Sequence, residues 1–416
     1  MLVLNPEREL WGFGLVGVWL GFVAYWLEWH RKPIWVYGVL VAKIGAAWAF
    51  GWLYARYYCH GDTLKAYLTA HRLVSYMWED PLTGLALLFR EFSPQWEALG
   101  WQVFFRDMQF YGYDYEWSEP SNYHFYRLLV PLYIAAGGSY YGLQGLCGVL
   151  GGLLSYAAYR RWEKIYSLPS IFWIFWFLWP SALLWLSGAI RDTFALPATL
   201  YLAGWVASFR ERRDVWGGIG AGLLLLVLRE EALGVGIGVG LVCRWASVWV
   251  AGVASLAGLL ALQFFLGPWA YQYRLEALDV GMHPELQTSS YFQLKLFSAP
   301  DKGWLGWIEA LLYGFAGPLP WQIDKGLLLL YAVEVWTGVG LFGYWSRWSF
   351  RREGWSFVSL VLVAVGLYIV GVAAMAMPYW GTLARHRLYG MYWVALGVGI
   401  AVQKAVQRTQ YALSEA

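Results

Sequence analysis

Arginines and carboxylates set against apolar runs are the residues of this chain that could do chemistry. Arg191 and Asp192 stand side by side at the end of PSALLWLSGAIRD, residues 180–192, an apolar run that breaks on Ser187-Gly188, and a second apolar run starts at once. Arg229 closes another apolar run and precedes Glu230-Glu231, and Arg385-His386-Arg387 stands before the last one. A guanidinium offers a planar fork of donors suited to phosphate and stays charged at any working pH. A charge in hydrocarbon costs roughly 2.5–3.5 kcal/mol on insertion scales, so these groups are tolerated where they face a wet cavity or an interface. The expectation is that Arg191, Arg229, Arg385 and Arg387, far apart in the chain, converge on one hollow fit for a lipid-borne phosphate or pyrophosphate. Asp192 and His386 belong to the same predicted substrate site, with Arg106 and His124 as further candidates.

Group transfer at such a phosphate needs a base for an acceptor hydroxyl and stabilisation of the departing phosphate. Asp62, in His60-Gly61-Asp62-Thr63, is the best base candidate because it follows an apolar run directly. The competing reading is a helix cap, since an Asp before a helical run is a common N-terminus signal. Arg106-Asp107 and Asp114-Tyr115-Glu116 read first as the charged face of an interfacial helix. His124 reads first as a hydrogen-bonding histidine at a membrane surface. Arg191-Asp192 could be a structural pair, Asp192 could cap the next helix, and Arg229 could snorkel. Residues 315–321 read as a Pro-broken turn rather than a sugar platform. No Asp-x-Asp motif occurs, so nothing calls for a metal or other cofactor.

The elements that must position these groups are apolar helices. Of 416 residues, 59% are hydrophobic and 14% charged, against about 25% charged in soluble domains. Spans are predicted at residues 10–27, 34–54, 140–159, 169–186, 193–209, 217–228, 232–242, 247–266, 327–344, 357–375 and 388–406, with shorter apolar pieces at 128–136 and 304–316. The fold class is therefore all-α, a polytopic membrane protein of about eleven transmembrane helices plus interfacial and partial helices. The whole chain, 1–416, reads as a single integral-membrane domain with long outer loops at about 56–123 and about 268–302. The first loop carries short amphipathic runs divided by prolines, the pattern of helices lying on a membrane. The 30 Trp and 30 Tyr fit interfacial belts and aromatic cavity walls. A net charge of +3 gives no sign of nucleic acid, and Cys59, Cys147 and Cys243 have no paired spacing.

Orientation follows from lysines and arginines in the short loops. His30-Arg31-Lys32, Arg160-Arg161, Arg210 to Arg213, Arg244, Arg347 to Arg352 and Lys404 to Arg408 sort to one side. That side is the cytoplasm, which places the N-terminus outside and the C-terminus inside. Both long loops, Arg191-Asp192, Arg229 and Arg385-His386-Arg387 sort to the other. Three consecutive cationic or titratable groups on that disfavoured side weigh most against a bland reading. Lys43 and Glu334 lie well inside spans.

The order Gly61-Asp62, PSALLWLSGAIRD, Arg229, GPLPWQ and GTLARHRLYG resembles a group of bacterial membrane proteins near the C-type glycosyltransferases and the exopolysaccharide or O-antigen polymerases. The matching positions are Pro180-Ser181, Trp185 to Gly188, Arg191-Asp192, Gly381-Thr382 and Arg385-x-Arg387. The resemblance spans nearly the whole chain through short motifs. It implies a bacterial inner-membrane enzyme that takes a polyprenyl-phosphate-linked sugar at the outer face, with membrane lipids as surroundings. C-type enzymes place their long loop after the first span and carry a paired acidic motif. Here the loop follows the second span and Asp62 is alone. Asp62 is then the expected base, and Arg191, Arg385 and Arg387 the expected phosphate holders, supported by Arg229. A polymerase or ligase without a carboxylate base, a transporter or flippase, and a non-catalytic subunit of a membrane complex stay open as alternatives.

Overall fold

In the computed structural model the described residues are 5–26, 34–58, 62–89, 120–169, 172–208, 215–244, 303–323, 326–377 and 380–415, and among them the regular structure is helical. The predicted span 247–266, the loop 268–302, and the basic groups at 30–32 and 210–213 lie outside these residues. Among the described residues, three helical stretches are apolar and long enough to cross a membrane, Ile34–Arg56, Leu328–Arg351 and Phe357–Ala376, so the chain is an all-α membrane protein. Its polarity agrees: Trp11, Phe22 and Leu330 are exposed while Lys43, Gln144 and Asp192 are buried.

The chain's contacts divide into two compact units. The first comprises Met1–Ala158, Ala182–Leu202 and Glu211–Gly236. It begins with α1 (Pro6–Trp26) and α2 (Ile34–Trp52), which widens into a π-helical turn at Leu53–Tyr58. Next come α3 (Asp62–Glu79) and α4 (Pro81–Phe89), the amphipathic helices foreseen in the first long loop. α5 (Pro120–Ala135) follows, then the break foreseen at Gly137-Gly138, whose φ angles of 63° and 73° suit glycine, then α6 (Tyr140–Tyr166). The glycines of α6 face its neighbours. A Cβ at Gly148 would lie 2.9 Å from the Lys43 carbonyl, and one at Gly142 3.0 Å from Gly12 Cα. Small residues that let backbones approach are how helices associate without a hydrophobic drive between them.

Several predicted spans differ in their bounds, among them 327–344, which belongs to a helix that runs on to Arg351. α6 runs through Arg160-Arg161 to Tyr166, because backbone hydrogen bonding does not stop where hydropathy falls. Residues 169–186 are two helices, α7 (Phe172–Leu178) and α8 (Pro180–Trp185), since Pro180 has no N–H to continue a helix and starts a new one. The last span begins earlier than predicted, and Arg385-His386-Arg387 lie inside it rather than in a turn.

α9 (Asp192–Ala207), α10 (Val215–Leu228) and α11 (Glu230–Arg244) carry the chain onward. The second unit, Tyr159–Ser181, Ala203–Arg210 and Ile237–Ala416, holds α12 (Gly303–Ala316), a short 3-10 turn at Pro320–Gln322, α13 (Gly326–Arg351), α14 (Phe357–Ala376) and α15 (Trp380–Glu415). α14 and α15 meet glycine to backbone: a Cβ at Gly366 would lie 2.5 Å from the Gly390 carbonyl, and one at Gly397 2.6 Å from that of Ser359. The apolar core of this unit gathers Ala310, Leu328, Ala374, Met375, Trp380 and Leu383.

Candidate functional site

The break between α8 and α9 leaves backbone groups unpaired within an apolar unit, and side chains meet them. Lys43 Nζ, fully buried, donates to the carbonyls of Leu186 at 3.0 Å and Ala182 at 3.3 Å. Gln144 Oε1 accepts from Ala189 N at 2.7 Å, and Thr193 Oγ1 donates to Gly188 O at 2.7 Å. Ser187 Oγ turns back to Leu183 O. Gly188 is required by space, since a Cβ there would lie 2.5 Å from Phe50 Cδ1 and 3.0 Å from Gln144 Oε1. At its other end, within the second unit, α8 meets Glu334, whose carboxylate accepts from Ser181 N at 2.8 Å and Ser181 Oγ at 2.7 Å. Both charges noted inside spans thus match the helix dipole, a cation at the C-terminus and a carboxylate at the N-terminus.

The break ends on Arg191 and Asp192. Asp192 opens α9 with 1% of its side chain exposed, and its salt bridge is to Arg229, 3.0 Å from Oδ1 to a terminal guanidinium nitrogen. Arg229 fills the single residue between α10 and α11 and also reaches Glu231 at 3.2 Å. Two carboxylates therefore share Arg229, which supports the site more than it offers free charge. Arg191 is half-buried beside them. His124, half-buried on α5, sits next to Phe125, whose ring is 6.3 Å from that of Phe194, two residues beyond Asp192. The first unit thus brings together Arg191, Asp192, Arg229 and the helix that carries His124. Arg106 lies outside the described residues.

Asp62 is the first residue of α3 and half-buried, the place a cap or first-turn carboxylate takes. From it runs a polar stripe one turn apart, Thr63, Tyr67 and His71. Thr63 Oγ1 is 2.8 Å from Tyr140 Oη, Tyr67 Oη donates to Gly138 O at 3.1 Å, and His71 Nδ1 is 2.6 Å from Tyr133 Oη. Burial, then the charges of Arg8 and Arg72, hold the His71 imidazole below the ordinary histidine range. Burial and the Glu9 charge raise the Tyr67 phenol. Glu9 itself, buried on α1, caps α6: its carboxylate accepts from Tyr140 N at 3.1 Å, Tyr141 N at 2.9 Å and Ser139 Oγ at 2.7 Å. Sequence reasoning missed this cluster. The spacing of Thr63, Tyr67 and His71 at i, i+4 and i+8 was a usable signal.

In the second unit, Arg385, His386 and Arg387 occupy successive positions of α15, so their side chains leave the axis about 100° apart. They cannot all face one hollow. Arg387, 2% exposed, donates to the carbonyls of Gly317 at 3.2 Å and Gly314 at 3.4 Å, with its guanidinium carbon 4.8 Å from the Tyr331 ring centroid. Those carbonyls belong to the end of α12. Trp336 Nε1 donates to Ala316 O at 3.0 Å, and Gln322 Oε1 accepts from Leu319 N at 2.8 Å, so the Gly317–Gln322 turn is fastened throughout. Arg385 and His386 are half-buried. Among the described residues, no three His, Cys, Asp or Glu stand together as metal ligands. No protein-family model, curated protein or solved structure matches the chain.

Proposed function

We propose that this chain is an integral-membrane glycosyltransferase that takes a polyprenyl-phosphate-linked sugar or glycan in cell-surface polysaccharide synthesis. It would sit in a bacterial inner membrane with about eleven spans, N-terminus outside and C-terminus cytoplasmic, and act at the outer face. The observation that carries the reading is the buried Asp192–Arg229 pair beside a broken helix, with the half-buried Arg191 next to Asp192 in the chain. A carboxylate 1% exposed in an apolar unit is costly, and a structure retains such a group when it holds something else in place. Here Asp192 and Glu231 fix Arg229, and the tied break fixes Arg191. In transfer, the bond from the sugar's anomeric carbon to phosphate oxygen breaks as the acceptor oxygen attacks. Asp62 takes the acceptor's proton, Arg191 receives the phosphate charge, and Arg229 supports it. Arg385 and His386 are further phosphate candidates in the second unit. Arg387 is proposed to serve the fold, since its donors already meet backbone carbonyls.

A second reading, a polymerase or ligase that needs no carboxylate base, is favoured by the place of Asp62 at the head of α3, where the helix dipole already accounts for it. The two separate in one assay of sugar release from a polyprenyl-phosphate donor by the purified chain in nanodiscs. If Asp62 is the base, Asp62→Asn abolishes transfer with thermal unfolding unchanged, and Arg191→Ala does the same. If Asp62→Asn keeps full activity while Arg191→Ala loses it, the base-free reading stands. Unchanged activity in both removes both residues from the mechanism.

A further inference from the structure

Two of the three candidate spans, Leu328–Arg351 and Phe357–Ala376, are joined by the turn 352–356, so this turn lies where helices leave the apolar layer. The turn is built rigidly. Gly354 N donates to Ser349 O at 2.9 Å and Glu353 N to Phe350 O at 3.1 Å, the paired bonds that close a helix C-terminus, with Glu353 in the left-handed region at φ 50°. Trp355 Nε1 donates back to Ser346 O at 3.1 Å, and Ser356 caps α14. A side chain at Gly354 would run into Ala401 and Ala405, so the turn is seated on α15, and Arg408 of α15 pairs with Glu353 at 2.6 Å.

This seat carries mostly positive charge. Arg347, Arg351 and Arg352 are exposed on the turn side, Lys404 and Arg408 on α15, and Glu353 is the acidic group among them. Arg352 lies over Trp348, 4.4 Å from its ring centroid, and Phe350 is 75% exposed beside them. Cations on a fixed base, interleaved with apolar and aromatic side chains, suit a surface that offers phosphate above and acyl chain below. We propose that this end of the second unit docks the headgroups of anionic phospholipids. A soluble acidic protein would use the charges but leave Phe350 and Trp348 without apolar partners. The surface is independent of whether the chain transfers sugars.

The test is native mass spectrometry of the purified chain from mixed phosphatidylglycerol and phosphatidylcholine nanodiscs. Wild type retains phosphatidylglycerol in preference, and molar salt weakens the preference. Arg347→Gln, Arg351→Gln and Arg352→Gln together lower it by about fivefold per charge removed, while Arg160→Gln, an exposed arginine already paired with Glu163, leaves it unchanged. Equal retention of both lipids by wild type, a preference indifferent to salt, or a triple variant that keeps the wild-type preference overturns the proposal.

Discussion

Arg387 carries its charge to a place where 2% of the side chain is exposed, and the carbonyls of Gly314 and Gly317 receive it. Those oxygens end a helix and have no partner in it, so a guanidinium satisfies them where an apolar residue cannot. Hydrogen bonds to a charged group contribute about 1.5–3 kcal/mol, and stranding the acceptors adds their desolvation cost. Arg387→Met should therefore lower stability by about 2–4 kcal/mol, read as thermal unfolding in detergent, while Lys404→Ala, exposed on the same helix, should stay within about 1 kcal/mol. Equal effects would mean that the carbonyl contacts are not what holds Arg387. Lys43, Glu334 and Glu9 follow the same logic at other helix ends. The sequence made these charges visible as anomalies in apolar runs but hid their partners. Those partners are backbone groups freed where a distant helix stops, which no side-chain pattern announces.

At the scale of elements, α3 is joined to its neighbours through Thr63, Tyr67 and His71, so its docking depends on hydrogen bonds as well as apolar packing. His71 is held below the ordinary histidine value, which means the folded chain favours the neutral ring. The unfolded chain takes up its proton first as pH falls below about 6.5. The docking is therefore fully present above that pH and weakens from there down to the lowered value in the folded chain. The protection factors of the α3 amides, which remove the intrinsic pH dependence of exchange, should fall as pH drops below about 6.5, and His71→Phe should remove that dependence. Protection factors in wild type that do not change with pH would contradict the role of His71. Prolines and glycines marked several breaks correctly, at Gly137-Gly138 and at Ser187-Gly188. Helix ends were less legible, because Arg160-Arg161 and Arg385 to Arg387 are polar and were read as loop. A helix can project past the apolar layer with its hydrogen bonds intact, and there charge marks the membrane boundary rather than the end of the helix.

At the scale of the molecule, large apolar side chains such as Trp11, Phe22 and Leu330 are exposed while a few charged ones, Lys43, Asp192 and Arg387 among them, are buried. The all-α membrane class was legible from composition and apolar run lengths alone. The candidate site was legible in part: Asp192 and Arg229 pair, and His124 shares their unit, whereas Arg385 and Arg387 belong to the other. The salt bridge of Asp192 to Arg229 joins the first turn of α9 to the junction of α10 and α11, a pairing that adjacency in the sequence does not announce. The central claim is that this corner of the first unit receives a lipid-borne phosphate. The most direct measurement is a cryo-EM structure with polyprenyl phosphate added, with the distance from its phosphorus to each guanidinium. The phosphate should sit within hydrogen-bonding reach of Arg191, with Arg229 behind it still bound to Asp192. A phosphate bound away from Arg191, or Arg191 turned into lipid with the added phosphate elsewhere, would contradict the account.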